Sequence, residues 1–248
     1  MHTGRMSSLP LYREVKEKLI LALASGEWQP GAKIPVERDL AQRHAVGIST
    51  VRAAVSELEA AGILSRRQGK GTFVSEHASH GRLYRFFNLV NDDGTRETPL
   101  RDFVSLQRAR ATPVESEFLR LSRYGRTTDV YRLRITFSLQ GNVTGVSDAV
   151  VPAGLFPRMS RSGVCDGSLT LYALYQSNYN VNVTSVSADL RAERAPADVA
   201  ELLAVKNACP VLRIERKAYT YGDVPVELRI SWVNTAHCSF HVDQGSTV

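Results

Sequence analysis

The chain contains little cysteine and no long apolar run. Its three cysteines, Cys165, Cys209 and Cys238, are far apart and form no CxxC pair, so neither a disulfide framework nor a zinc site is predicted. The longest apolar run near the start, Leu19 to Ala24, is too short to cross a bilayer, and the opening residues lack the apolar segment of a secretion signal. We therefore expect a soluble, cytoplasmic protein with no membrane partner.

Common catalytic motifs are also absent. No HExxH, GxSxG, GxGxxG or GxxxxGK[ST] pattern occurs, so the sequence carries no signature of a zinc protease, an α/β-hydrolase, a dinucleotide-binding fold or a P-loop nucleotidase. We predict no catalytic residue, no metal and no cofactor.

The composition suits a globular protein with a basic surface. Hydrophobic residues make up 43% of the 248 residues, enough for a sizeable core, and the length allows two domains. The net charge of +6 favours a polyanionic partner without establishing one.

Three helices and a basic hairpin are predicted in the first 74 residues. Apolar residues at helical spacing indicate a helix from Leu11 to a stop at Gly26, a second over Val36–His44, and a third over about Ser49–Ala61 with Ser49 as its N-cap. The segment "ILSRRQGKGTFV" that follows is typical of two short strands joined by a glycine-containing turn. This order is that of a winged helix-turn-helix, in which a helix enters the DNA major groove and the hairpin reaches the adjacent backbone or minor groove.

This segment resembles the DNA-binding domain of GntR-family bacterial transcription regulators. The resemblance covers about Leu9 to Val74 and rests on "GEWQPGAKIP", "ERDLA", "TVRAA", "LEAAGIL" and "RRQGKGTFV" in that order. It implies operator binding through the third helix and the wing. The outward face of the third helix adds Ser49 to the positions that match the family's contacts, and the predicted DNA-binding residues are Arg38, Ser49, Thr50, Arg52, Gly69, Lys70 and Gly71.

The chain departs from the family pattern at two places. Val36 replaces the usual serine, so the second helix lacks an N-cap oxygen, at a cost of roughly 1 kcal/mol. Gly47-Ile48 replaces a serine-arginine pair and removes one DNA-contacting arginine, which is worth about 1–3 kcal/mol of base discrimination. We therefore expect an operator that differs from the one common in the family.

Beyond a polar linker over residues 75–81, the period changes to that of strands. In "VYRLRITFSL" the side chains alternate, which places Arg132 and Arg134 on one face. The same plan recurs in "VLRIERKAYTYGDVPVELRISW", and each copy follows a short helical pattern. We predict two helix-hairpin units that build one antiparallel sheet, with a further helix over Gly167–Tyr179. The fold class is α+β.

The second half, about residues 81–242, resembles the UTRA ligand-binding domain that accompanies the GntR domain in the HutC-like branch. The similarity lies in segments such as "RATPVESEFLRL", "DGSLTLYAL" and "CPVLRIERKAYTYGDVPVELR". It implies a fold similar to chorismate lyase, binding of a small anionic metabolite, and dimerisation. By position, the predicted effector-binding residues are Arg132, Arg134, Ser168 and Glu227. Asp148 is added because it is adjacent to Ser147, near which the resemblance implies an acidic pocket residue. Alternation alone does not tell whether the two arginines face a pocket or solvent.

These patterns predict a transcription regulator, in the form of a repressor, with three segments. Residues 1–74 form a winged helix-turn-helix domain, 75–81 a linker, and 82–248 an effector-binding and dimerisation domain. A homodimer would bind a palindromic operator on double-stranded DNA. Two alternatives remain open: an enzyme of chorismate-lyase-like fold and a sequence-neutral architectural DNA-binding protein.

Overall fold

The computed structural model describes residues 10–76, 86–124, 128–165 and 170–242. These residues form two compact units. The N-terminal unit ends at Glu76, and the C-terminal unit contains the described residues from 86 onward except the turn Tyr221–Asp223. None of the described helices has both the length and the hydropathy needed to span a bilayer.

The N-terminal unit has the predicted winged helix-turn-helix order. The two strands pair antiparallel, with Arg67 opposite Gly71 at the turn. The elements are α1 (Leu11–Ala24), α2 (Glu37–His44), α3 (Ile48–Ala60), β1 (Leu64–Arg67) and β2 (Gly71–Val74).

One apolar core holds this unit together. Each helix contributes side chains at helical spacing, and the first strand and the chain before α2 close the core. Burying one such Leu or Val side chain contributes about 1.5–3 kcal/mol. The buried residues include Val15, Leu19 and Leu23 of α1, Leu40 of α2, and Val51, Val55 and Leu58 of α3.

The start of α3 differs from the prediction. Gly47 is the N-cap and Ile48 the first helical residue, so Ser49 lies inside the first turn and does not cap the helix. Neither Gly47 nor Val36, the N-cap of α2, provides a side-chain hydrogen bond to its helix. The missing cap at Val36 agrees with the prediction.

The C-terminal unit contains a six-stranded sheet in the order β4-β5-β6-β9-β8-β7, and all neighbours are antiparallel. Two short strands pair separately with each other. The elements are β3 (Leu89–Asn91), β4 (Leu100–Arg110), α4 (Pro113–Phe118), β5 (Asp129–Leu139), β6 (Asn142–Pro152), α5 (Arg161–Cys165), α6 (Leu171–Tyr179), β7 (Ser185–Arg194), α7 (Ala197–Leu202), β8 (Pro210–Thr220), β9 (Val224–Val233) and β10 (Cys238–Phe240), with 3-10 turns at Leu121–Tyr124 and Tyr221–Asp223.

The predicted internal repeat is confirmed. Each copy contains a short helix followed by a hairpin, α4-β5-β6 and α7-β8-β9, and the two hairpins meet where β6 pairs with β9. Each copy also begins with a strand that was not predicted, β4 or β7. The sheet therefore consists of two similar halves.

The two faces of the sheet are covered by different helices. On one side, which we call the α6 face, Leu133 and Ile135 of β5 pack in a core with Leu171, Leu174 and Tyr175 of α6. The predicted helix over Gly167–Tyr179 is observed from Leu171, after the N-cap Thr170.

On the opposite side, the α4/α7 face, two smaller cores lie against the sheet. Leu119 and Leu121, after α4, contact Val130 and Val150. Residues of α7 and of the chain around it pack on Val146. Any side chain of β5 or β6 therefore belongs to one of two separate environments.

Candidate DNA-binding surface and effector pocket

The outer face of α3 is exposed and carries one arginine among small residues. Ser49, Arg52, Ala53 and Ser56 are exposed, while the opposite face is fixed in the core. The Arg52 side chain is 63% exposed. Because the neighbours of Arg52 are short, this face can approach a flat base-pair edge closely.

Glu37 holds two arginines at the junction of α3 and the wing. Its Oε2 accepts from Arg52 Nε at 2.9 Å, and its Oε1 accepts from Arg66 Nη2 at 3.1 Å. The Arg66 backbone N–H also donates to Glu59 of α3 at 3.2 Å. The first residue of α2 thus orients one arginine of α3 and one of the hairpin.

The wing turn requires glycine. Gly69 has φ +69° and Gly71 φ +114°, a region that other residues rarely adopt. A Cβ at Gly71 would also lie 2.6 Å from Lys33 Cε. Between the glycines, Lys70 is exposed, and the Arg67 guanidinium lies 4.4 Å from the Phe73 ring centroid. The tip therefore presents cationic groups on a fixed backbone.

The other predicted DNA-contact residues also lie near the start of these helices. Arg38 is 84% exposed and approaches Asp39 only at 3.7 Å, so its guanidinium is available. Thr50 is half-buried in the first turn of α3. The sequence prediction did not include Arg66 and Arg67, for which the basic pair in "SRRQGKG" was the available signal. Ile48, where the sequence predicted the loss of a DNA-contacting arginine, is 44% exposed at the first position of α3.

Arg132 lies on the α4/α7 face, where its guanidinium forms an ion pair with Glu115. Its Nη1 and Nη2 donate to the two carboxylate oxygens of Glu115 at 2.6 and 2.8 Å. Burial raises the pKa of Glu115, but hydrogen bonds from Arg132 and from the Thr112 backbone outweigh it and lower the pKa below its ordinary value. The pair ties α4 to β5.

Arg134 lies on the same face and contacts two carboxylates. Its Nε and Nη2 donate to Asp148 at 2.7 and 2.6 Å, and its Nη1 donates to Asp198 of α7 at 2.6 Å. The hydrogen bonds to Asp148 raise the pKa of Arg134 further. The shared face of Arg132 and Arg134 is thus as predicted, but both guanidiniums fasten short helices to the sheet. A depression beside them also contains Asp148, whose carboxylate is one of these partners.

A pocket of the C-terminal unit lies on the α6 face. Its cavity volume is about 120 Å³, and the depression around it, counted with the open space at its mouth, measures about 1010 Å³. Its wall is mainly apolar, with three arginines and a few hydroxyls. The lining includes Phe86, Phe87, Arg101, Ile135, Phe137, Ser147, Tyr172, Ile214, Arg216, Arg229, Ser231, Val233 and Phe240.

Glu227 lies behind this pocket and is fully buried, with 0% exposure. It accepts from Tyr172 Oη at 3.0 Å, Tyr175 Oη at 2.7 Å and Arg229 Nη2 at 2.5 Å. Burial and the nearby Glu227 charge raise the pKa of Tyr172 to about 12. Burial also opposes the Arg229 charge, but Glu227 outweighs it and raises the pKa of Arg229. Tyr172 and Arg229 both line the pocket, so Glu227 orders its floor.

Of the predicted effector-binding residues, the structure therefore places only Glu227 next to this pocket. Arg132, Arg134 and Asp148 lie across the sheet from it, and Ser168 falls outside the described residues. Sequence reasoning missed Arg216 and Arg229, which come opposite each other only through the pairing of β8 with β9.

Comparison with known proteins identifies the family. Residues 11–74 match the model for bacterial regulatory proteins of the gntR family, and residues 96–238, more than half of the chain, match the UTRA domain. The chain belongs to the GntR family, in the HutC-like branch. This GntR-family regulator joins a DNA-binding domain to an effector-binding domain.

Relatives along nearly the whole chain are regulators. The regulator is 28% identical over 231 residues to the probable fructoselysine utilization operon transcriptional repressor of Escherichia coli, with 91% of each chain covered. It is 24% identical over 228 residues to the HTH-type transcriptional repressor NagR of Bacillus subtilis, covering 92% of this chain and 91% of NagR.

Among solved structures, the ligand-binding domain of a GntR-family regulator from Bordetella bronchiseptica matches with a TM-score of 0.60 and 27% identity. The match covers 65% of this chain and 99% of that domain.

Proposed function

We propose that this regulator is a repressor that binds operator DNA as a homodimer, and that a small molecule in the pocket on the α6 face controls its operator affinity. The observation that carries the proposal is the exposed face of α3 beside a cationic wing, in a chain whose other unit encloses a pocket. The names of the Escherichia coli and Bacillus subtilis relatives support repression.

In this proposal α3 reads the major groove and the wing holds the backbone. Arg52 would contact a base edge, and Glu37 would fix its direction. Arg38, Ser49 and Thr50 would hold phosphates around the start of α3. Since Lys70 and its flanking glycines form the exposed tip, they would contact the backbone or the minor groove. Arg66 and Arg67 of the hairpin would contact DNA in addition to the residues predicted from sequence.

The effector site in this proposal is the pocket with Arg216 and Arg229, with Glu227 ordering its floor. The two arginines first predicted for this role already hold Glu115, Asp148 and Asp198. A ligand that took these guanidiniums would have to break the ion pairs that tie α4 and α7 to the sheet. An effector changes operator affinity only if it binds the DNA-competent and incompetent states differently, typically by about 1–3 kcal/mol.

Selection from randomised duplexes tests the DNA-binding part. We expect enrichment of a palindrome, because a symmetric dimer presents two copies of α3. Lys70→Ala should weaken binding to every sequence and reduce the salt slope by about one, since it removes one phosphate contact. Lys18→Ala, an exposed lysine of α1, is the matched control and should leave the slope unchanged.

An unenriched pool would favour the architectural alternative. A slope unchanged by Lys70→Ala would remove the wing from the interface. Steady conversion of any metabolite in a turnover panel would revive the enzyme alternative. Light scattering of the full chain measures the dimer directly.

A further inference from the structure

We propose that the pocket on the α6 face takes a small acid, with a carboxylate head held between Arg216 and Arg229 and an apolar or aromatic body. This inference rests on the proposed function, because it names the class of ligand for the pocket assigned there to the effector.

Arg216 and Arg229 face each other across two neighbouring strands. They are direct partners in the pairing of β8 with β9, and both line the pocket. Like charges directly opposite each other destabilise a sheet unless an anion lies between them. Glu227 compensates Arg229, but no acidic residue in the described part of the chain forms an ion pair with Arg216. This position therefore favours an anion.

The unused donors of the two arginines match a carboxylate. The Nε–H groups of Arg216 and Arg229 are both buried and have no hydrogen-bond acceptor among the described residues. A buried donor without an acceptor is costly, and a carboxylate provides two oxygens that accept such bonds. Arg101, a third lining arginine, adds positive charge to the pocket.

The rest of the lining fits an apolar body. Phe86 packs edge-on against Tyr172 at 5.7 Å, and Phe87 against Phe137 at 5.8 Å. A Cβ on Gly145 would overlap the Phe137 ring, so this glycine makes room for the wall. If a ligand buried its own hydroxyl groups against these rings, those hydroxyls would lack hydrogen-bond partners, at a cost in binding free energy.

The hydroxyls of the lining do not change this conclusion. Ser147 and Ser231 already bond each other at 2.7 Å, and Tyr172 Oη donates to Glu227. Apart from the arginines, the other polar side chains of the lining are Asn88, Thr98 and Thr170, and Thr170 already accepts from the Ala173 N–H. A polyhydroxylated sugar phosphate therefore fits the pocket less well than an aryl or alkyl acid.

The test compares acids with their neutral amides on the full-length chain. The probes are hexanoate, benzoate and 3-phenylpropionate, the three corresponding amides, phenyl phosphate and glucosamine 6-phosphate, measured by thermal shift and calorimetry. We expect at least one acid to bind about 10- to 100-fold more tightly than its amide, because hydrogen bonds to a charged group are the strong ones.

Variants locate the head group. Arg216→Met should reduce the affinity for the acid to that for the amide and leave the amide unaffected. Arg216→Lys keeps the charge without the Nε–H donor and should give an intermediate loss, which guards against misfolding of the methionine variant. Arg191→Met is the matched control, because Arg191 is exposed on β7 and pairs with Arg213 on the opposite face.

Three results would overturn the inference: no acid that exceeds its amide, acid binding unchanged in Arg216→Met, or tighter binding of phenyl phosphate or glucosamine 6-phosphate than of every acid. Operator affinity, measured on the selected duplex with and without ligand, separates the two proposals. If an acid binds without changing operator affinity, effector control fails and the ligand class stands. If only the sugar phosphate changes operator affinity, effector control stands and the ligand class fails.

Discussion

Replacing Glu227 by glutamine should destabilise the C-terminal unit severely. The substitution leaves the Arg229 guanidinium, whose side chain is 11% exposed, without its counter-charge, and the amide provides one acceptor oxygen where the carboxylate accepted from three donors. Breaking a buried ion pair from one side costs about 3–5 kcal/mol. For a domain of this size each kcal/mol lowers Tm by about 2–4 °C, which gives a drop of about 6–20 °C.

The two tryptophans make this effect measurable in the intact chain. Trp28 lies in the N-terminal unit and Trp232 in the C-terminal unit, so thermal unfolding followed by fluorescence in a Trp28→Phe background reports on the second unit. Glu215→Gln is the control. Its pair with Arg213 is partly exposed, so the loss should stay below about 1 kcal/mol.

A double variant completes the experiment. Glu227→Gln combined with Arg229→Met removes both charges, and we expect it to be more stable than Glu227→Gln alone. A drop in Tm below about 2 °C for Glu227→Gln, or a double variant with the summed cost of the single ones, would refute the reasoning that the pair is desolvated and coupled.

Three further predictions concern single positions. Val36→Ser should supply the missing cap of α2 and raise the free energy of unfolding in urea by about 0.5–2 kcal/mol; no gain would mean that the α2 terminus is satisfied in another way. Ile48→Arg, at a position 44% exposed on the first turn of α3, should increase the salt slope of DNA binding by about one and change the selected operator, and an unchanged slope would place Ile48 away from the DNA. The pair of Arg132 with Glu115 stabilises the fold above the ordinary carboxyl pKa of 4.5, and this contribution is lost as pH falls, because the folded-state pKa of Glu115 is lowered. The stability cost of Arg132→Gln, measured by urea unfolding, should therefore be present at pH 6 and should decrease as the pH is lowered into the acid range; a cost that does not change with pH would contradict this.

The fold of the N-terminal unit was predictable from local sequence patterns, because each of its helices buries apolar residues that recur at helical spacing. Val51, Val55 and Leu58 mark α3 without reference to any distant residue. The N-cap of α3 was predicted two residues too late, at Ser49, since Gly47 caps the helix with no side chain to signal it.

The outer strands β4 and β7 were not predicted, for a reason visible in their burial. Nearly every residue of β7 is exposed or half-exposed, and β4 is similar, so neither strand shows an alternation of apolar and polar side chains. The inner strands β5 and β8 each lie between two other strands of the sheet, and their side chains do alternate between apolar and polar.

The sequence alone could not show on which face of the sheet the pocket lies, because that depends on contacts between residues far apart in the chain. The alternation of side chains correctly predicts that Arg132 and Arg134 share one face of the sheet. Their carboxylate partners Glu115 and Asp198 come from other elements, so the sequence pattern does not show them. Arg216 and Arg229 lie opposite each other because of the register in which β8 pairs with β9.

The most direct measurement is the ratio of the dissociation constants of the full-length chain for a scrambled and a selected duplex, at one salt concentration, in the wild type and in Arg52→Ala. If the exposed face of α3 reads base edges, the wild-type ratio should be about 10³ or more, and Arg52→Ala should reduce it by about 10-fold or more. A wild-type ratio near one, or a ratio that Arg52→Ala leaves unchanged, would contradict the assignment of α3 as the reading helix.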